Sequence, residues 1–218
     1  IIGIQYGITS MLFLLFGFSL MMIMRWQLAY PDTPIPLVGW MFENRMLSPD
    51  MYNSFGAMHG TIMVFLGVVP LAVGAFGNYV VPLQIGAPDM AFPKLNMASY
   101  WVYFVGGIVM IASFFLPGGA ANSGWTSYPP LSEIATTGQT YWLIGMVFLI
   151  TSSLLGSINF LSTLQFIDGM VGNSSSGLVE APSFKIGTVN IGNRQKGRVK
   201  PDSVINCDPN EKSILRFY

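Results

Sequence analysis

Four long apolar runs constrain the fold of this chain more than any other feature. A helix needs about 20 largely apolar residues to cross a hydrocarbon core of about 30 Å. Four stretches reach that length, approximately from Ile2 to Met24, from Tyr52 to Leu83, from Met97 to Leu116 and from Tyr141 to Leu164. Gly and Pro separate the runs, and Trp or Tyr residues lie at their ends as interfacial anchors. The sequence therefore predicts an all-α, multi-pass transmembrane bundle with four spans in residues 1–164.

The charge content agrees with a membrane location. Only 9% of the 218 residues are charged, against about 25% in an average soluble protein. Ten basic and ten acidic residues cancel, so the net charge does not indicate a nucleic-acid partner. The single Cys207 excludes an internal disulfide, and the sequence has no C-x-x-C-H motif for covalent haem attachment. Any cofactor is therefore expected to be held by coordination and packing.

Residues 165–218 have a different composition. They hold seven of the ten Lys and Arg residues and no apolar run long enough to span a bilayer. With few aromatic residues and no clear hydrophobic period, the segment is predicted to be a polar, irregular and flexible tail outside the membrane. Basic residues are retained on the cytoplasmic side, so the side that carries the tail is predicted to be the inside.

One histidine, His59, lies inside the second span. It lies about 10 Å from the start of that span, toward the predicted outer face. Gly56 and Gly60 flank it, and Gly60, Gly67 and Gly74 recur every seven residues on nearly one helix face. Such a bare stripe lets a helix, or a flat rigid ligand, approach the backbone closely. Two interpretations stay open: helix packing with His59 hydrogen-bonded to a neighbouring span, or axial ligation of a haem.

Polar residues gather at the inner level of the predicted bundle. They are Asn78, Asp89, Asn96 and Asn159, joined further into the fourth span by Ser152 and Ser153. A carboxylate at the entrance, with amides and then hydroxyls above it, would order a file of water for proton transfer. The alternative is structural, with the asparagines capping helix ends and the serines bonding to backbone carbonyls.

Two further residues lie at the outer level. Arg25 ends the first span, and Trp125 lies in the loop that leaves the third. An arginine at a helix end is most often an interfacial anchor, and a loop tryptophan is most often an interface residue. Together with His59 they would also surround the edge of a haem.

Several stretches resemble the amino-terminal third of subunit I of cytochrome c oxidase, in the haem-copper oxidase family. They are MHGTIMVF, VGAFGNYVVPLQIGAPDMAFPKLN, PGGAANSGWTSYPPLS and SSLLGSINFLST. The resemblance covers roughly residues 1–164 and implies a twelve-helix enzyme that reduces dioxygen to water and pumps protons. It implies a low-spin haem, a high-spin haem and copper as cofactors. It also implies other oxidase subunits as partners, a copper-bearing subunit II among them, and cytochrome c or a quinol as electron donor.

The resemblance assigns roles to individual residues. His59 aligns with an axial ligand of the low-spin haem, and Arg25 aligns with the arginine that hydrogen-bonds the formyl group of haem a. Trp125 matches a tryptophan near the haem propionates. Asp89 aligns with the entrance of the D proton pathway, which continues through Asn78, Asn96, Ser152, Ser153 and Asn159. The implied location is a bacterial cell membrane or the mitochondrial inner membrane.

The family's remaining functional residues lie on later helices. These are the second low-spin ligand, three copper-binding histidines, the cross-linked tyrosine, the high-spin haem ligand and the glutamate that ends the D pathway. Because this sequence has one histidine, no catalytic residue of the oxygen-reducing centre is expected in it. The resemblance ends shortly after Thr163, so the chain is predicted to be a truncated member with an unrelated tail. A second hypothesis is a non-catalytic membrane fragment that folds without cofactor.

Overall fold

Four long apolar helices dominate the structure, which is a computed structural model. It describes residues 1–85, 87, 89–165, 169–172, 178, 181–185 and 187–210. The helices long and apolar enough to cross a membrane are α1 (Ile2–Ala29), α2 (Pro49–Ile85), α3 (Pro93–Ala112) and α5 (Thr137–Gln165). A single short turn of helix, α4 (Leu131–Ile134), precedes the last of them. The predicted four-span helical bundle is therefore confirmed, and each helix extends past its apolar run at one end or both.

Local chemistry sets the first turn of α2. Ser48 precedes the helix, and its Oγ accepts a hydrogen bond from the Met51 N–H at 3.3 Å. Pro49 follows at the position where a missing N–H removes no helical bond, and Asp50 places a negative charge at the positive end of the helix dipole. These three residues explain why the helix begins before the apolar run does.

The middle of α2 departs from α-helical geometry. Residues Ile62–Val68 and Pro70–Gly77 are π-helical, and the Val69 N–H bonds to the Val64 carbonyl, five residues back. Pro70 lacks an N–H, and in an α-helix its ring would clash with the carbonyl of residue 66. The hydroxyl of Tyr103, on α3, donates to that Leu66 carbonyl at 2.7 Å. A neighbouring helix therefore supplies a donor at the place where the proline removes one.

The first of two compact units comprises Ile1–Val81 and Lys94–Gly156. Glycines let its helices approach closely, as in membrane bundles generally. A Cβ atom on Gly106 of α3 would lie 3.1 Å from the Gly145 carbonyl oxygen, and one on Gly145 of α5 would lie 3.0 Å from the Gly106 carbonyl oxygen. Fully buried side chains fill the space between the helices; the largest are Tyr103, Met58, Ile62, Leu66 and Met110.

The second unit comprises Pro82–Pro93 and Ser157–Tyr218. It contains three short strands, β1 (Gly169–Gly172), β2 (Gly187–Ile191) and β3 (Val204–Cys207), which pair in parallel in the order β1-β2-β3. The prediction of an irregular tail needs correction here. The strands are rich in β-branched residues, but four or five residues are too few to register in a search for membrane-length apolar runs. The predicted flexibility of the tail stays a prediction.

Candidate functional site

His59 lies on α2 and is hydrogen-bonded to a neighbouring helix. Its Nδ1 lies 2.8 Å from the carbonyl oxygen of Gly17 on α1. A carbonyl only accepts, so Nδ1 carries a proton, and Nε2 is the ring nitrogen that would be available to a metal in the neutral imidazole. Histidines that ligate metals commonly donate their other ring N–H to a carbonyl, which fixes the tautomer and the ring orientation. The half-buried imidazole thus makes the hydrogen bond to a neighbouring helix that the packing interpretation predicts, and this geometry is also compatible with the ligation interpretation.

Gly17 makes this hydrogen bond possible because it has no side chain. A Cβ atom at residue 17 would lie 2.9 Å from the Met63 sulfur and 3.2 Å from a methyl group of Ile62. Both neighbours belong to α2, within one turn of His59. A larger residue at position 17 would therefore require the Met63 and Ile62 side chains to give way, or α1 to move away from α2.

The glycine stripe on α2 divides into two parts. A Cβ atom on Gly67 would lie 2.4 Å from Leu14, and one on Gly74 would lie 2.6 Å from the Tyr6 ring, so both glycines accommodate α1. A Cβ atom on Gly60 would meet nothing within 4 Å. Helix packing explains Gly67 and Gly74, whereas the position of Gly60, next to His59 in the sequence, is open.

The two other outer-level residues are exposed. Arg25 lies near the end of α1, and Trp125 is 61% exposed with its ring centre 6.1 Å from that of Phe65 on α2. Within the described residues, no hydrogen bond or ring contact joins any two of Arg25, His59 and Trp125. The Trp125 ring contacts Phe65 of the helix that carries the histidine.

A chain of hydrogen bonds links three of the helices, α2, α3 and α5, in the first unit. The Asn96 amide donates to the Asn78 Oδ1 at 2.6 Å, and the Asn78 amide donates to the Gly74 carbonyl at 2.7 Å. One turn along α3, the Ser99 hydroxyl donates to the Asn96 carbonyl at 2.7 Å. The Ser152 hydroxyl, on α5, donates to the Ser99 carbonyl at 2.6 Å. Three of the predicted pathway residues thus belong to one buried polar cluster.

Sequence reasoning missed two members of this cluster, Tyr6 and Ser99. The Tyr6 hydroxyl donates to the Ser99 Oγ at 3.1 Å and lies 3.2 Å from the Ser152 Oγ. The signal was present in the sequence: Tyr6, Thr9 and Ser10 form a polar face on an otherwise apolar helix, and all three are buried. Ser153, next to Ser152, is exposed.

The remaining two pathway candidates, Asp89 and Asn159, belong to the second unit. Asn159 is fully buried; its Oδ1 accepts from the Phe92 N–H at 2.9 Å and its Nδ2 donates to the Phe92 carbonyl at 3.3 Å. Thr163 accepts from the Ala91 N–H at 2.9 Å. Asp89 is exposed, and its Oδ1 accepts from the N–H of the following residue, Met90, at 2.8 Å. Asn159 therefore fixes the segment that presents the Asp89 carboxylate.

The second unit also contains a cavity of about 510 Å³ at the carboxyl ends of β2 and β3. Its lining includes three cationic residues, Lys196, Arg198 and Lys200, and one acidic residue, Asp208. Asn190, which is 4% exposed, also lines it and donates its amide to the Asn206 Oδ1 at 3.0 Å. Among the atoms of the described residues, the Asn190 Oδ1 finds no hydrogen-bond donor. The cavity therefore offers positive charge and one buried acceptor at the edge of a parallel sheet where ligands commonly bind.

Comparison with known proteins gives two family-model matches that cover overlapping parts of the chain. A family model described as UDP-N-acetylglucosamine 2-epimerase matches residues 141–218, the segment that includes the cavity. A model described as cytochrome c and quinol oxidase polypeptide I matches residues 1–176.

Individual relatives agree with the match to the oxidase model. Cytochrome c oxidase subunit 1 of Thermostichus vulcanus is 48% identical over 165 residues, which is 75% of this chain and 28% of the relative. The subunit 1 of Synechocystis sp. is 46% identical over 165 residues, 75% of this chain and 27% of the relative. The chain therefore spans little more than a quarter of the length of these relatives. With the family model matching most of its length, the chain belongs to the cytochrome c and quinol oxidase polypeptide I family.

Proposed function

We propose that residues 1–164 form the amino-terminal part of the catalytic subunit of a terminal respiratory oxidase and supply one axial ligand to a low-spin haem, haem a. The observation that carries this proposal is the pairing of His59 Nδ1 with the Gly17 carbonyl beside the open space at Gly60. Bound haem supplies reversible one-electron chemistry. His59 would coordinate through Nε2, Gly17 would orient the ring, and Arg25 and Trp125 would line the edge of the site.

The complete oxidase would take electrons from cytochrome c, reduce dioxygen and pump protons. Cytochrome c is favoured over a quinol because the matched relatives are named cytochrome c oxidase subunit 1, although the family description includes both. We infer a bacterial cell membrane and a copper-bearing subunit II as partner. The high-spin haem and copper would be bound by residues that this chain does not contain.

Proton uptake is proposed to begin at Asp89. An exposed carboxylate can collect protons, and the Asn78–Asn96 amide pair is proposed to belong to the same pathway. Hydroxyl groups can both donate and accept, so Ser152, with Tyr6 and Ser99, would pass a proton onward together with ordered water. Ser153 and Asn159 complete the proposed set, the latter by holding the Asp89 segment in place.

The test of the haem proposal uses the full chain purified in detergent and titrated with haem a. We expect a six-coordinate low-spin absorption spectrum that His59→Ala abolishes. A methionine is a possible second axial ligand in this chain, so haem ligation is judged by its dependence on His59 and not by the spectrum alone. If His59→Ala leaves the spectrum unchanged, the ligand assignment is wrong and the alternative of a non-catalytic membrane fragment is favoured.

A second candidate function is favoured by the cavity in the second unit. We propose that it binds a sugar nucleotide such as UDP-N-acetylglucosamine, because its cations suit a diphosphate and the family model over residues 141–218 carries that substrate's name. Calorimetric titration of the full chain with UDP-N-acetylglucosamine tests it. Arg198→Ala should weaken binding about tenfold, the equivalent of one lost charge-assisted bond. Lys185→Ala, an exposed lysine outside the cavity lining, should leave binding unchanged; equal affinities in both variants would contradict the site.

A further inference from the structure

Gln139, on the first turn of α5, bridges two serines of the loop that carries Trp125. The Ser123 hydroxyl donates to the Gln139 Oε1 at 2.5 Å, and the Gln139 Nε2 donates to the Ser127 hydroxyl at 2.9 Å. Gln139 is 4% exposed. The buried Gln139 amide thus accepts from Ser123, two residues before Trp125, and donates to Ser127, two residues after it.

The backbone of this loop adopts conformations that need support. Gly124 and Ser127 have φ values of 71° and 51°, in the left-handed region that a non-glycine residue such as serine rarely adopts. The hydrogen bond to the Gln139 amide is made by Ser127 itself. The amide therefore holds the one residue of this pair whose conformation is intrinsically unfavourable.

The base of the loop is fixed close to Gln139. Ala120 pairs with Gly138 in a parallel bridge, and the Ser54 hydroxyl of α2 donates to the Ala120 carbonyl at 3.1 Å. A Cβ atom on Gly138 would lie 2.2 Å from the Gly119 carbonyl oxygen. The start of α5 and the loop are thus in direct backbone contact, so the position of Gln139 relative to the loop is set by the fold.

Trp125 is the large side chain that this arrangement orients. Its ring lies at 50° to that of Phe65, with the ring centres 6.1 Å apart. Phe65 follows His59 by six residues on α2. The amide, the two serines and the tryptophan therefore connect the start of α5 to the helix of the proposed haem ligand.

We propose that Gln139 is a positioning residue that holds Trp125 against α2 and thereby shapes the outer edge of the haem site. The effect on haem rests on the function proposed above, whereas the effect on Trp125 does not. Gln139 does not touch the ligand histidine and acts through Ser123 and Ser127. Substitution of Gln139 should release the Trp125 indole from Phe65, and any change in haem binding should follow from that release.

The experiment uses the full chain labelled with 5-fluorotryptophan in detergent micelles and followed by ¹⁹F NMR. Trp125→Phe assigns the Trp125 resonance among those of the five tryptophans. In Gln139→Leu, which keeps the volume and removes both hydrogen bonds, that resonance should shift toward the position of a freely solvated indole. Thr140→Ala, at the exposed neighbouring residue of α5, is the matched control and should leave it unmoved.

A double-mutant cycle separates positioning from general loosening. The paired change Ser123→Ala and Ser127→Ala should shift the Trp125 resonance as Gln139→Leu does, and combining all three changes should add little. If Gln139→Leu loses helical circular dichroism, the paired serine variant alone carries the test. An unmoved Trp125 resonance, or fully additive shifts, would overturn the proposal.

Haem titration of the same variants distinguishes the two proposals. If both hold, Gln139→Leu raises the haem dissociation constant severalfold while Thr140→Ala does not. If the Trp125 resonance responds but neither variant nor the parent chain binds haem, the haem proposal fails and the positioning role of Gln139 stands.

Discussion

Single glycines decide how close other groups come to His59. Gly17 brings a carbonyl to its Nδ1, and Gly60 leaves space on the same helix next to the ring. Neither could be distinguished from an ordinary packing glycine by sequence alone, because Gly67 and Gly74 have the same seven-residue spacing and pack against α1. The seven-residue spacing shows that these glycines share one face of α2. Which residue each glycine contacts depends on where α1 crosses α2.

At Gly60, filling the space should weaken haem binding. Gly60→Leu places a branched side chain where the flat ring is proposed to lie, while His59 keeps its hydrogen bond to Gly17. We expect the haem titration midpoint to rise at least tenfold. Gly156→Leu is the matched control, since a Cβ atom on Gly156 of α5 also meets nothing within 4 Å. Equal haem affinity in the two variants would contradict a ligand at Gly60.

The π-helical geometry in the middle of α2 is supported by a side chain from a neighbouring helix. The π-helical middle of α2 follows from a proline in the chain, and the donor that reaches the Leu66 carbonyl comes from Tyr103 on α3. In the folded bundle this tyrosine also lies 3.2 Å from the Ser10 hydroxyl of α1. Three helices are thus joined at one phenol.

Removing that phenol should destabilise the bundle only while Pro70 is present. Tyr103→Phe leaves the Leu66 carbonyl without this donor, and we expect a loss of about 1–2 kcal/mol in unfolding free energy. In a Pro70→Ala background the new N–H can bond to residue 66, so the loss should shrink. Denaturant titration in mixed micelles followed by circular dichroism measures both. Tyr100→Phe, which loses a bond to Thr9, is the control whose cost should not depend on residue 70.

The elements themselves were largely predictable, and the contacts between them were not. The length of the apolar runs was enough to locate the four spans, because a membrane-crossing helix needs a minimum number of apolar residues that few other structures need. The register of α2 depends on how Pro70 is compensated by a side chain 33 residues further along the chain. Tyr6 and Ser99 became visible as members of the polar cluster only once three helices had been packed. The strands of the tail are too short for their pattern to stand out.

At the scale of the whole molecule, two family models match different but overlapping segments of the chain. Residues 1–176 match an oxidase family and residues 141–218 match an epimerase family, with an overlap within α5 and beyond it. Along the chain, one boundary between the two compact units lies inside α5, between Gly156 and Ser157. Predictions for the helical unit and for the tail are therefore independent of each other.

The proton pathway can be tested only in a complete oxidase. A hybrid in which residues 1–164 replace the matching segment of the Thermostichus vulcanus relative supplies the missing helices. Asp89→Asn in this hybrid should slow steady-state turnover and proton uptake at least tenfold, because an amide cannot exchange a proton, while the reduced haem spectra stay unchanged. Asp50→Asn, at an exposed carboxylate on the first turn of α2, is the control. Normal pumping in Asp89→Asn would rule out the entrance role.

The acceptor for the histidine belongs to the main chain of α1. A hydrogen-bond partner on a side chain is lost when that residue is substituted, whereas every amino acid has a backbone carbonyl group. Mutation at residue 17 therefore disturbs this contact only through bulk, by crowding Met63. Replacing Met63 by a smaller residue while enlarging residue 17 would relieve this crowding. The imidazole of His59 would then keep its hydrogen-bond acceptor on α1.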